Sequence, residues 1–153
     1  MESRIKISLK LWLKLISDLK KRGQNSRESG AFLLASKHSK KIKKYLCFDD
    51  LDPTCLTGMI EFHNSGYQKL WSILENEELV VIADVHTHPS SWTGQSGYDK
   101  KNPMISMPRH IAIIIPYYAM RLFPLKKGIG VYEYLGNYSW KNLNSNSIEI
   151  TLL

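Results

Sequence analysis

Two histidines one residue apart, His86 and His88, are followed eleven positions later by an aspartate, Asp99. Along a β-strand, residues i and i+2 project from the same side, so two imidazoles at this spacing converge on one point. Residues 89–109 are rich in Pro, Ser, Gly and Asn and read as a loop. A loop of that kind can fold back and bring the Asp99 carboxylate to the same point. Two histidines and one carboxylate make three protein ligands for a zinc ion and leave the fourth tetrahedral position for water. That open position separates catalytic from structural zinc. Bound zinc lowers the pKa of a water from about 15.7 to about 7 and polarises a carbonyl oxygen. The chemistry this predicts is hydrolysis.

An isolated His-x-His pair also occurs in strands that hold no metal, so its surroundings matter. Here the string runs His86-Thr87-His88-Pro89, then Ser96, then Asp99, and upstream lies Glu28-Ser29-Gly30-Ala31-Phe32-Leu33-Leu34. This pattern resembles the signature of the JAMM (also JAB or MPN+) zinc metalloprotease family, including its glutamate at the start of a distant strand. The likeness runs from the first helix to the apolar stretch 111–116, most of the chain. It implies that His86, His88 and Asp99 bind Zn2+. It also implies that Glu28 takes a proton from the attacking water and delivers it to the leaving amine, and that Ser96 donates to the developing oxyanion. Thr87 and Pro89 would shape the turn. Singly, Glu28 reads as a carboxylate beside Arg27, Ser96 as one loop serine among several, and Asp99 as a turn cap. Only the whole pattern gives them roles.

The resemblance further implies a substrate: an amide or isopeptide bond after the C-terminal tail of a ubiquitin-like protein. Trp92 and Tyr98 are candidates to line the channel for that tail, or else loop packing. The short stretch 100–109 and the sequence Ile115-Pro116-Tyr117-Tyr118-Ala119 are similar to prokaryotic standalone members. Such members occur beside ubiquitin-like, E1-like and E2-like proteins, including antiphage systems. Alternatives are a hydrolase of small carrier-protein or amino-acid conjugates, and a non-catalytic MPN binding scaffold.

Several elements must position these residues. Leu9, Trp12, Leu13, Ile16 and Leu19 approach helical spacing, which predicts an amphipathic helix over 8–22 ended by Gly23. Strands are predicted from Glu28 through Leu34 and over 45–48 and 58–63, with Asp49, Asp50, Asp52 and Pro53 as turn residues. Leu70, Trp71 and Leu74 predict a second helix over 67–79. The nearly unbroken apolar run 79–85 predicts a buried strand that delivers His86 and His88 at its end. Further strands follow over 111–115, 129–135 and 148–152. Strands and helices mix without βα alternation, which predicts an α+β fold: a curved mixed sheet flanked by two main helices. The resemblance implies the MPN/JAB, cytidine-deaminase-like version of it.

The 153 residues suit a single domain spanning 1–153, with 43% hydrophobic and 23% charged residues. Cys47 and Cys55 are the only cysteines and show no metal or disulfide spacing; buried thiols are expected. Segment 7–19 contains Lys10 and Lys14, too charged to span a bilayer, so a soluble cytoplasmic protein without membrane contact is expected. The formal charge is +7, with basic clusters at Lys20, Lys21 and Arg22 and at Lys37, Lys40, Lys41, Lys43 and Lys44. No aromatic-interleaved nucleic-acid motif accompanies them, so nucleic acid is not the expected partner. His38 reads as solvated, His63 as surface or core, and His110 as a neighbour of the site without a ligating spacing.

Overall fold

The computed structural model describes residues 3–121 and 125–152. Strand β1 (Ile5–Ser8) leads directly into helix α1 (Leu9–Gly23). Ser8 is the N-cap, its hydroxyl accepting the Leu11 amide at 3.2 Å. Trp12, Leu15 and Leu19 form the buried stripe, while Leu13 is about half exposed. The helix extends through Gly23, and the left-handed cap falls on Gln24 (φ 52°), whose amide donates to the Lys20 carbonyl. The predicted terminator is thus the last helical residue, one position early.

Strands β2 (Gly30–Ser36) and β3 (Ile42–Cys47) follow, then a short helix α2 (Phe48–Leu51) in place of the last residue of the predicted 45–48 strand and the turn residues after it. Helix α3 (Asn64–Glu77) buries Gly66 and Leu70, whereas Trp71 is 48% exposed and stacks on Tyr67. Strand β4 (Leu79–Thr87) carries the histidine pair, and a short helix α4 (Gly97–Lys101) interrupts the predicted loop. Strands β5 (Ile111–Ile115), β6 (Gly130–Gly136), β7 (Ser139–Leu143) and β8 (Ile148–Thr151) complete the chain.

Six strands form one mixed sheet in the order β3-β2-β4-β5-β6-β7, with β4 and β5 its parallel pair; β1 and β8 pair in parallel beside it. One face of the sheet packs Ala31, Leu33, Ala83, Val85, Ile111 and Ile113 against Trp12, Leu15 and Leu19 of α1. The other packs Phe32 and Leu34 against Phe48, Leu51, Ile60 and Leu70 from the α2–α3 side. Burial of both faces explains the unbroken apolar run in β4. The α+β architecture with a mixed sheet and two main helices is as expected.

Two expectations fail. Residues 58–63 are not a strand. Leu56 and Ile60 form only an isolated bridge, because Gly58 (φ 108°) turns the chain and the Thr57 amide closes onto the Met59 carbonyl. Conversely, β1 and β7 are strands the sequence reading does not contain. The β7 residues are largely polar or exposed, as suits a sheet edge. Among the described residues, no helix is long and apolar enough to cross a membrane. Cys47 and Cys55 are buried and free, and burial pushes both thiols up to about 12, which disfavours a cysteine nucleophile.

Candidate metal centre

The site forms where β4 ends beside β5 and the chain leaves the sheet. Asp84 and His86 alternate onto the same face of β4. In register, His86 lies between Gly30 of β2 and Ile114 of β5. Gly30 is required there: a Cβ would lie 2.3 Å from the Phe48 ring and 2.5 Å from the Val85 carbonyl. This close approach brings the start of β2, and with it Glu28, against the end of β4. The Glu28 amide is anchored on the Gly58 carbonyl at 3.0 Å.

Asp99 arrives on α4. Ser96 is the N-cap, and its hydroxyl accepts the Asp99 amide at 3.0 Å while the Asp99 carboxylate accepts the Ser96 amide at 3.0 Å. This reciprocal capping box fixes the carboxylate's direction. It uses a lone pair of the Ser96 hydroxyl and leaves its proton to be donated elsewhere.

The three side chains meet. His86 Nε2 and His88 Nε2 are 3.3 Å apart; His88 Nε2 is 3.1 Å from Asp99 Oδ2, and His86 Nε2 is 3.5 Å from Asp99 Oδ1. Among the described residues, these three form a group that could hold a metal ion. Donors about 2.0–2.1 Å from a tetrahedral zinc lie about 3.3 Å from one another, so the separations fit such an ion. The far side of each ring faces an acceptor. His88 Nδ1 is 3.2 Å from the Trp92 carbonyl, with the Trp92 indole stacked on the imidazole at 5.4 Å. His86 Nδ1 is 4.0 Å from Asp84 Oδ2. Protons placed on the two Nδ1 atoms leave both Nε2 lone pairs aimed at one point, an arrangement that a cation relieves.

Burial opposes charge on His86, yet Asp99, Asp84 and Glu28 outweigh it and raise its pKa. Burial likewise opposes ionisation of Asp99, but the adjoining His86 and His88 imidazoles and the Ser96 amide hold it far below the usual carboxylate range. Glu28 is half-buried, and desolvation raises it against the pull of the two imidazoles. Glu28, His86 and Asp99 line one cavity of about 40 Å³, together with Gln95, Tyr98 and Trp140.

All five expected site residues, Glu28, His86, His88, Ser96 and Asp99, are thus in one neighbourhood. Trp92 and Tyr98 are exposed beside it, at 56% and 43%. His38 is exposed, and His63 pairs with Asp52 at 2.6 Å. The sequence reading does not contain Asp84. It is buried, and its Oδ1 is 2.6 Å from His110 Nε2. Its signal was a carboxylate two positions before His86 in an otherwise apolar run, a residue that needs a buried partner.

No protein-family model matches the chain. Solved structures do. A protein from Desulfitobacterium hafniense superposes with a TM-score of 0.65 at 14% identity, over 95% of this chain and 92% of that one. A protein from Salinibacter ruber gives 0.60 at 11% identity, over 95% and 91%. A JAB1/MPN domain protein from Archaeoglobus fulgidus gives 0.53 at 18% identity, over 96% and 99%. The fold of this chain is therefore that of a JAB1/MPN domain.

Proposed function

We propose that the chain is a JAMM-type zinc hydrolase that cleaves the amide or isopeptide bond after the C-terminal tail of a ubiquitin-like protein. The observation that carries the reading is the convergence of His86 Nε2, His88 Nε2 and Asp99 within 3.1–3.5 Å, with Glu28 in the same cavity. Bound there, zinc would supply Lewis-acid polarisation of the scissile carbonyl and a water that loses its proton near neutral pH. The residues supply the rest. His86, His88 and Asp99 hold the ion. Glu28, raised by desolvation, accepts a proton from the attacking water and returns it to the leaving amine. The Ser96 hydroxyl, oriented by its capping bond to Asp99, donates to the developing oxyanion.

An extended tail suits this site. Strand β7 is a sheet edge, and its Trp140 lines the cavity while donating from its indole to the Lys100 carbonyl on α4 at 3.1 Å. Through this side chain the edge strand adjoins the cavity that Glu28 and Asp99 line. Partnership with E1-like and E2-like proteins in a prokaryotic conjugation or antiphage system rests on the sequence resemblance. A second reading, hydrolysis of small carrier-protein or amino-acid conjugates, would use the same residues.

The test is cleavage of a ubiquitin-like protein bearing a C-terminal extension, read by intact mass, with zinc measured alongside. Wild type, chelator-treated wild type and Glu28→Ala are compared. A cut after the tail glycine in untreated wild type alone supports the proposal. Zinc bound without that cut, together with turnover of short conjugates, supports the second reading. A chain that binds no zinc refutes both.

A further inference from the structure

We propose that Asp84 and His110 are a positioning pair for His86: Asp84 holds the ring proton on Nδ1 and turns Nε2 towards Asp99, and His110 fixes Asp84 for that task. This rests on the metal-centre reading above and extends it by two residues.

Asp84 is 2% exposed and His110 4%, both deep under the site. An isolated carboxylate at that depth is costly, so it must be paired. His110 Nε2 meets Asp84 Oδ1 at 2.6 Å, which leaves Oδ2 directed at His86 Nδ1, 4.0 Å away. That separation is too long for a formed hydrogen bond. Asp99 Oδ1 lies 3.5 Å from the other ring nitrogen, but with Asp99 committed to a cation the Asp84 carboxylate favours the ring proton on Nδ1. The other nitrogen, Nε2, then presents its lone pair where His88 and Asp99 converge. His88 is served differently, by the Trp92 carbonyl at 3.2 Å from its Nδ1. Each ring thus has its own acceptor behind it, one from a loop backbone and one from a buried side chain.

His110 supports the assignment by what it lacks. Its Nδ1 is buried without a hydrogen-bond partner among the described residues. A histidine kept for packing alone would leave two polar atoms to satisfy in an apolar layer, where an aliphatic side chain leaves none. Its use is the Nε2 contact with Asp84. The register places Ala112, a small residue, opposite Asp84 on β5.

The experiment measures zinc affinity by chelator competition, with thermal unfolding run in parallel, on wild type, Asp84→Asn, His110→Phe and His110→Gln. All are assayed well below their unfolding temperatures. Outer partners of metal-bound histidines typically contribute 10–100-fold in affinity, and losses of that order are expected in folded Asp84→Asn and His110→Phe. His110→Gln keeps a donor near the Nε2 position and should recover most of the affinity, a rescue that bulk packing would not produce. Wild-type affinity in folded Asp84→Asn overturns the pair. Where Asp84→Asn gives no folded protein, the His110 variants decide: equal affinities for Phe and Gln overturn it, and a Gln rescue supports it. A wild-type chain that takes up no zinc overturns the metal-centre reading itself.

Discussion

Ser29 and Thr87 are locked to each other across β2 and β4. The Thr87 amide donates to the Ser29 carbonyl at 3.0 Å, and the Ser29 amide donates to the Thr87 hydroxyl at 3.0 Å. Ser29 directly follows Glu28, and Thr87 lies between His86 and His88, so one two-bond contact sets the proposed general base against the proposed metal ligands. Both residues are fully buried. Thr87→Val keeps the shape and removes the acceptor, leaving a buried N–H unpaired at a cost of roughly 1–3 kcal/mol. Urea unfolding should show that loss, and turnover should fall beyond what the folded fraction explains. Thr87→Ser should restore both. Normal turnover in folded Thr87→Val would mean that the lock does not set the position of Glu28.

Ser96 holds the N-cap of α4 and, in the proposed function, the oxyanion. Ser96→Ala removes both. Loss of the cap should cost about 1 kcal/mol of stability, and loss of an oxyanion donor should lower kcat by a factor on the order of 10²–10³. Ser96→Thr retains a hydroxyl for each task and should recover most of the rate. A Ser96→Ala enzyme with weakened zinc affinity but unchanged kcat at saturating zinc would confine the residue to orienting Asp99.

The parts of this site readable in the sequence are those set by local geometry. His86 and His88 share a side because a strand alternates with period two, and the apolar run before them marks the strand as buried. Asp99 could be assigned through spacing and resemblance, but its direction comes from Ser96-Gly97-Tyr98-Asp99. That stretch is a capping-box pattern inside what otherwise reads as loop. Asp84 was hidden because its partner, His110, lies 26 residues on, at the start of another strand. Long-range pairing also explains the missed strands. β1 has four residues and is ordered by parallel pairing with β8 at the far end of the chain. β7 is an exposed edge whose sequence lacks an apolar face. The false strand over 58–63 had the right composition, but the Gly58 turn breaks it.

Gly30 should tolerate no side chain. The Phe48 ring and the Val85 carbonyl stand where a Cβ would be, and the carbonyl belongs to β4 itself. Gly30→Ala must push β2 away from the strand that carries His86, and overpacking of this kind costs about 1–3 kcal/mol. Reduced thermal stability and weakened zinc uptake are expected together, because the same displacement moves Glu28 and the Ser29–Thr87 lock. Gly97→Ala, at a position with open space around it, is the matched control and should change neither.

Acid should weaken the fold partly through Asp52, remote from the proposed chemistry. Burial alone would raise this carboxyl. Hydrogen bonds from the His63 amide at 2.9 Å, the His63 ring at 2.6 Å and the Thr54 hydroxyl at 2.9 Å outweigh burial and bring it down to about 2. Its ordinary value is 3.8. A carboxylate depressed on folding contributes its full stabilisation above the unfolded value. It loses that contribution as pH falls through the interval from about 4 to about 2. The loss should be on the order of 1–2 kcal/mol. Urea midpoints at pH 5, 3.5 and 2 measure it. Wild type should lose more over that interval than Asp52→Asn, which starts less stable and carries no charge there to lose. Parallel slopes for the two proteins would show that the clamp joining α2 to α3 does not depend on the Asp52 charge.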